Sequence, residues 1–307
     1  MYLITDVWKL ANQFMDNPRY VSIDENAIDM VAGSVARHHE QEHFGIGALW
    51  GYPKCIDSSH PRAFYELFLY EIIANSVNYC YWYGKHDIRP NGSDSPKMCR
   101  LLDDSFGVLT KLKELSSYSR QHELEIIIDQ FTGNLTEERF PLLDHRIRHL
   151  NEVAIRRDLT SHIDNCIRAN CFSVESWLEY LVMAFPGYGK DLFLKRAFLF
   201  IIQMYRRLGL FKDEIHKIPV PADYQIPKML RMLGCIKYNY PLDSMVNDGR
   251  LIPEGSLLEC EIRAATIVVC KKIADLAGCS CADVDTYLFA NRKTCRDPFH
   301  LTVTTNY

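Results

Sequence analysis

Three things are scarce in this chain. Eleven cysteines stand at 55, 80, 99, 166, 171, 235, 260, 270, 279, 281 and 295, yet no CxxC occurs. Cys279-Ser280-Cys281 is too tight for a paired zinc knuckle, so a thiolate zinc site is excluded. Long apolar runs are missing too. The longest, such as Ala197 to Ile202, fall far short of the roughly 18 residues that a membrane span needs. Positive charge is not in surplus, for the formal net charge is −4. A protein that lives on nucleic-acid backbones carries a basic face, because neutralised phosphates supply most of the affinity. No stable nucleic-acid binding is therefore expected, although a basic pocket for one phosphate is compatible with this balance. No secretory segment is evident at the start, which points to a reducing compartment, a cytoplasmic protein and free thiols packed as small apolar groups. His38, His39 and His43 lack a convergent Asp or Glu pattern, and no metal is expected there.

Of the 307 residues 48% are hydrophobic, enough for a large core. Their spacing is mostly three and four, and alternating strand patterns are rare. Asp24 to His38 reads as a helix capped by Ser22 or Asp24. Pro61 opens a helix through Phe64, Leu67, Tyr70 and Ile73 to Trp82. Gly84 to Pro96 reads as a loop. Helical spacing resumes over 98–131, 141–158, 160–169, 173–185 and 190–209. Gly209 to Pro221 is irregular, and Pro227 restricts the next helix to a start between Tyr224 and Ile226 and an end near Leu233. The segments 258–277 and 281–291 are helical again, and the last ten residues form an extended tail. No repeat, low-complexity tract or Gly/Ser linker breaks the chain. The expectation is one all-α domain over 1–307, with room for two lobes around a cleft.

Two segments carry chemistry-bearing patterns. Phe185-Pro186-Gly187-Tyr188-Gly189-Lys190-Asp191 lies between helices and has the Pro-Gly-x-Gly signature of a helix-hairpin-helix turn, whose amides can hold a phosphate. A plain Pro-Gly turn between helices explains it equally. Asp223, in Ala222-Asp223-Tyr224-Gln225-Ile226-Pro227-Lys228, precedes a helix. There a carboxylate can stabilise the sugar cation of N-glycosidic cleavage. An ordinary N-cap is the competing reading. Helix-hairpin-helix DNA glycosylases carry a catalytic aspartate in a similar frame, at a shorter spacing from the hairpin.

Several motifs in one order resemble the queuosine salvage protein family, the queuosine 5′-phosphate N-glycosylases. Asn78-Tyr79-Cys80-Tyr81-Trp82 is similar to that family's Leu-Asn-Phe-Ser-Phe-Trp, and Arg146, Arg148 and Leu150-Asn151-Glu152 sit in a matching frame. Lys195-Arg196-Ala197 heads an apolar helix as Lys-Arg-Ala does there. Pro221 to Lys228 resembles Phe-Ala-Asp-Tyr-Arg-Val-Pro-Gln, and Glu259-Cys260-Glu261-Ile262-Arg263 resembles Glu-x-Glu-Ile-Arg. Pro298-Phe299-His300 and Tyr307 match the close. The likeness spans roughly residues 60 to 307. It implies an all-helical fold related to the helix-hairpin-helix DNA glycosylases. It also implies hydrolysis of queuosine 5′-monophosphate, or of the nucleoside, to queuine without metal or organic cofactor. By motif match Asp223 is the catalytic carboxylate, and Asp285-Thr286-Tyr287-Leu288-Phe289 falls on the segment that grips the base. A carboxylate at 285 suits the N–H groups of a guanine-like edge.

The departures cluster around base recognition. Pro221 replaces a family phenylalanine, Thr286 a tyrosine, Phe289 a tryptophan and Ala290 an acid. Leu301 and Val303 stand where arginines usually follow the histidine, His300. His60 is the nearest candidate for an amino-terminal histidine that contacts the base. Lys195 and Arg196 bind a 5′-phosphate or pair with acids on a helix surface. Asn78 and Trp82, four apart, share a helix face, and Trp82 stacks on a base or fills the core. Glu261 and Arg263, two apart, do not share a face and fit a buried ion pair with another helix as well as a substrate contact. The expected partner is a small nucleoside or nucleotide. A DNA base-excision glycosylase and a non-catalytic deazapurine-binding protein are the alternative functions.

Overall fold

The computed structural model describes residues 3–39, 51, 53–82, 94–113 and 119–307. Its helices are α1 (Leu3–Met15), α2 (Glu25–His39), α3 (Ala63–Ser76), α4 (Ser95–Lys113), α5 (Arg120–Gly133), α6 (Leu143–Ala154), α7 (Leu159–Ala169), α8 (Val174–Ala184), the single turn α9 (Pro186–Gly189), α10 (Lys195–Leu208), α11 (Gln225–Met232), α12 (Leu242–Asn247), α13 (Leu257–Ala277) and α14 (Cys281–Asn291). Strands β1 (Val21–Ile23) and β2 (Ile236–Tyr238) pair antiparallel, Val21 opposite Tyr238 and Ile23 opposite Ile236. The fold is all-α as the spacing predicts. Three-residue strands are too short to show as alternation. Most of the segment Gly84 to Pro96 and His43 lie outside the described residues. Ser95 and Pro96 belong to the first turn of α4 rather than to a loop.

Local signals set most boundaries. Asp24 Oδ1 accepts from the Ala27 amide at 3.2 Å and caps α2. Ser256 accepts from the Glu259 amide at the start of α13, and Gly278, with φ of 66°, ends it. Ser280 and Asp283 form a capping box at α14. The stretch 98–131 divides into α4 and α5, because Ser119 caps a new start through the His122 amide.

Helix α3 ends at Ser76, six residues before Trp82, and this corrects the longer helix read from spacing. The last carbonyls of a helix have no partner within it. Here cations from other helices take them. Arg196 donates to Ser76 O, Arg146 to the carbonyls of Val77, Tyr79 and Cys80, and Lys195 Nζ to Asn78 O. The chain unwinds between them, and Cys80 adopts a left-handed φ of 36°. Asn78 and Trp82 therefore share no helix face.

Helix α13 is the centre of the packing. Helices α1, α2, α11 and α14 lie against it, while α3 packs on α10 and α6. Glu261 on α13 is buried and accepts from the amides of Arg19, Tyr20 and Val21, which fastens β1 to the core. Arg263, two residues on and on another face, meets both oxygens of Asp191 at 2.7 Å and donates from Nε to Ala222 O at 3.0 Å. Removing one partner of a buried pair leaves the other uncompensated, so Arg263→Met should cost about 3–5 kcal/mol of stability. Urea denaturation measures this; a loss below about 1 kcal/mol would be typical of an exposed pair and would contradict it.

Candidate functional site

A cavity of about 470 Å³ opens between the unwound segment after α3, the inner face of α10, the residues leading into α11, and α14. Tyr307 and the start of α4 complete its wall. Lys195, Asp223 and Asp285 reach it from three elements, and Asp94 at the start of α4 lines it as well.

Asp223 is half-buried at the entry to α11. Its Oδ1 accepts from the amides of Gln225 at 2.7 Å and Ile226 at 3.1 Å. Asp223 thus does what an N-cap does, and it also lines the cavity, so the two readings of this residue are not exclusive. Among the described residues no donor meets Oδ2. The backbone just before it is held by Arg263 on Ala222 O.

Lys195 opens α10 and is almost closed to solvent. Its amide donates to Asp191 Oδ2 at 2.8 Å, and its Nζ donates to Asn78 O at 3.2 Å. Burial pushes its pKa down to about 8; the charge of Asp223 opposes that shift and the charge of Arg196 reinforces it. Asp285 on α14 is 8% exposed and makes no hydrogen bond among the described residues. Burial, and after it the charge of Asp223, raises its carboxyl to about 8, against the pull of Lys195 and Arg206.

Helical geometry explains which neighbours share the cavity. On α14, Asp285 and Phe289 are four apart and face it with Thr286 and Ala290. Tyr287 falls on another face, where its ring meets His38 at 5.4 Å. On α10, Lys195, Leu199, Ile202 and Gln203 form one stripe along the wall. Gln203 and Leu199 were missed by motif reading, although this spacing from Lys195 points to them. Tyr79, Tyr81, Tyr224 and Tyr307 supply aromatic wall, and Lys228, Arg292 and Lys293 supply positive charge. Arg292 and Lys293 lie outside every motif, Lys228 closes the one that holds Asp223, and only the fold gathers the three.

Of the other expected site residues, Asn78 and Pro221 line the cavity. Arg196 does not. It is 1% exposed, donates to Ser76 O and Gly187 O, and lies over the rings of Tyr79 and Tyr188. Trp82 is buried in a small cluster with Tyr224, Phe299 and Tyr307, 6.0 Å from the Phe299 ring. His300 stands behind the wall. Its Nε2 lies 3.1 Å from the Tyr307 hydroxyl, and burial, then the charge of Arg263, lowers its pKa to about 3. His60 is exposed and its Nδ1 accepts from the Arg62 amide, away from the cavity.

The Pro-Gly-Tyr-Gly turn is spent within the fold. The Gly187 amide donates to Glu152, its carbonyl accepts from Arg196, and a Cβ at 187 would stand 2.8 Å from the His149 ring. A Cβ at Gly189 would come 2.9 Å from Val182 O. Both glycines serve close approach, and neither takes a positive φ.

The charges of the site strain the fold. Asp285 keeps its proton to about pH 8 when folded and loses it near 3.8 when unfolded. Its folded pKa is the higher, so its contribution to stability is fully present below the unfolded value and is lost as pH rises through the interval. Asp285→Asn should therefore stabilise the ligand-free protein by roughly 2–4 kcal/mol at pH 8, and the gain should vanish near pH 4. Denaturation at the two pH values reads this directly; a gain independent of pH would contradict it.

Comparison with known proteins gives this geometry its relatives. A family described as queuosine salvage protein matches residues 60–305. A Mus musculus protein named queuosine 5′-phosphate N-glycosylase/hydrolase is 27% identical over 249 residues, covering 72% of each chain. A Dictyostelium discoideum protein of the same name is 26% identical over 278 residues, or 84% of this chain and 82% of that one. A third of that name, from Sphaerobacter thermophilus, is 27% identical over 222 residues, covering 64% of this chain and 66% of its own. The family match takes in the unwound segment, Lys195, Asp223 and Asp285, and the chain belongs to the queuosine salvage protein family.

Proposed function

We propose that this protein hydrolyses the N-glycosidic bond of queuosine 5′-monophosphate, releasing queuine and ribose 5-phosphate in the cytoplasm. The observation that carries the reading is Asp223, whose carboxylate is anchored through one oxygen by two helix amides while the other is left to the cavity. Cleavage at the anomeric carbon develops positive charge on the sugar, and a fixed carboxylate beneath the ring lowers the cost of that charge without reorganising. A cavity of about 470 Å³ is of the size that holds a nucleotide.

The base lies toward Asp285 and Thr286, between Phe289 and the tyrosines. Tyr79 and Tyr81 stand on the unwound segment, and Pro221, ahead of α11, takes the place of the family's phenylalanine. The 5′-phosphate lies toward Lys228 and Lys293, which leaves Lys195 between Asp223 and Asp285. Arg196, tied to two carbonyls, supports the wall rather than the substrate.

Incubation with queuosine 5′-monophosphate should yield free queuine, detected by chromatography. Asp223→Ala should lower kcat by about 10³-fold with the fold intact, the scale of losing a main electrostatic stabiliser. A wild-type rate in that variant would remove Asp223 from the chemistry. The double variant Lys228→Ala/Lys293→Ala should raise KM for the monophosphate by about tenfold, as expected for lost charge-assisted contacts, and leave KM for queuosine unchanged. Equal effects on both would place the phosphate elsewhere.

A further inference from the structure

Queuine is a 7-deazaguanine, and this creates a difficulty for any enzyme that releases it. A departing purine is helped by a proton at N7, which neutralises the charge arriving through N9. In the deaza ring that position is carbon and accepts no proton while the ring remains aromatic. The remaining acceptors are O6 and N3, and N3 is joined to N9 through a single ring carbon. An acid that reaches N3 withdraws the bonding electrons as the glycosidic bond breaks.

Resting on the hydrolysis proposed above, we infer that Asp285 is the general acid of this reaction, giving its proton to N3 of the leaving base while its carbonyl oxygen accepts from the 2-amino group. A neutral carboxyl has one donor and one acceptor side by side, the complement of the N3 and 2-amino edge. The geometry supports the assignment. Asp285 is nearly closed to solvent, lines the cavity on the wall formed by α14, and has no hydrogen-bond partner among the described residues that would hold its proton. Asp223 stands on a separate element, fixed by amides. Asp223 and Asp285 thus stand in opposite environments within one cavity that Asp94 also lines, the arrangement that divides acid from base or nucleophile.

The groups facing Asp285 keep the proton available. From α10 come Lys195 and Arg206, the latter paired with Asp283, and from the entry to α11 comes Asp223. The Cys270 thiol of α13 also lies near it, held neutral by burial. Lys228 of α11 lines the same cavity, the turn at 215–217 contributes His216 and Lys217 beside α14, and His38 of α2 meets the neighbouring Tyr287. Burial and the charge of Asp223 outweigh the cations, so the carboxyl is still largely protonated near neutrality. In the step itself the C1′–N9 bond breaks, its electron pair passes into the base, and the Asp285 proton goes to N3. The new carboxylate is left beside the Lys195 ammonium. Water adds its oxygen to C1′ and surrenders a proton, which restores Asp285. The base leaves neutral.

Two substrates with the same edge but different leaving ability separate an acid from a residue that only reads the base. They are queuosine 5′-monophosphate and 7-cyano-7-deazaguanosine 5′-monophosphate, in which the cyano group stabilises the departing electrons. General acid catalysis contributes about 10²–10⁴-fold, so Asp285→Asn should lose that much kcat/KM on the first substrate and at least about tenfold less on the second. Equal losses on both substrates would overturn the assignment while leaving the hydrolysis intact. If the wild type cleaves neither substrate, the proposed hydrolysis itself fails, and this inference falls with it.

Discussion

Both oxygens of Asp191 meet the Arg263 guanidinium at 2.7 Å, and the same carboxylate accepts from the amides of Phe193 and Lys195. Burial alone would raise its pKa, yet Arg263 and those amides hold it below the ordinary value. The consequence reaches well beyond a pair. Through the Lys195 amide, Asp191 fixes the first turn of α10 and so the start of the side chain that enters the cavity. Through Arg263, whose Nε holds Ala222 O, it fixes the peptide ahead of Asp223. The Arg263 guanidinium also lies over the Tyr307 ring, part of the cavity wall. A buried pair of this kind adds little net stability over apolar packing. Its value here is registry: three segments far apart in the chain meet at one ion pair, and the placing of Lys195 against Asp223 depends on it.

The opposite wall depends on two cations that, among the described residues, end on backbone carbonyls. Arg146 and Arg196 are almost wholly buried and end on backbone carbonyls and tyrosine faces, with the Tyr79 ring 4.5 and 5.0 Å from their guanidinium carbons. A buried guanidinium must fill its donors, and an unwound helix end offers carbonyls in excess. The carbonyls take most of these donors, which lets α3 stop early and present Asn78, Tyr79 and Tyr81 as a wall. A continuous helix would have turned part of that stretch away. Lys195 is the cation set between Asp223 and Asp285.

Much of this was legible in the sequence where the cause is local. Asp24, Ser256, Ser280 and Gly278 announce helix ends within a few residues, and Pro227 confines α11 to its observed start. The catalytic candidate was legible because its neighbours in the chain carry the family pattern. What stayed hidden has partners distant in sequence. The end of α3 is decided by Arg146 and Arg196, 69 and 120 residues away from the carbonyls they hold. Apolar spacing through Trp82 could not show it. The basic residues Lys228 and Lys293 look like solvated charges until the fold turns them toward one cavity. Arg196, so close to Lys195 in a shared motif, points to a different face, and adjacency in a helix guarantees nothing about shared function.

Asp223 and Asp285 show why the separation of environments matters more than the identity of the residues. Two aspartates in one cavity would tend to share a fate, since each charge disfavours the other. Asp223 stands at a helix start with amides on one oxygen and partial access to solvent. Asp285 is the same residue type, but deeper and without donors among the described residues, and burial with the charge of Asp223 raises its pKa to about 8. The charge of Lys195 opposes that rise. The cavity therefore sets an amide-anchored acid beside a buried one without donors. That inequality, rather than any single side chain, equips it to break a bond to a base whose usual protonation site has been replaced by carbon.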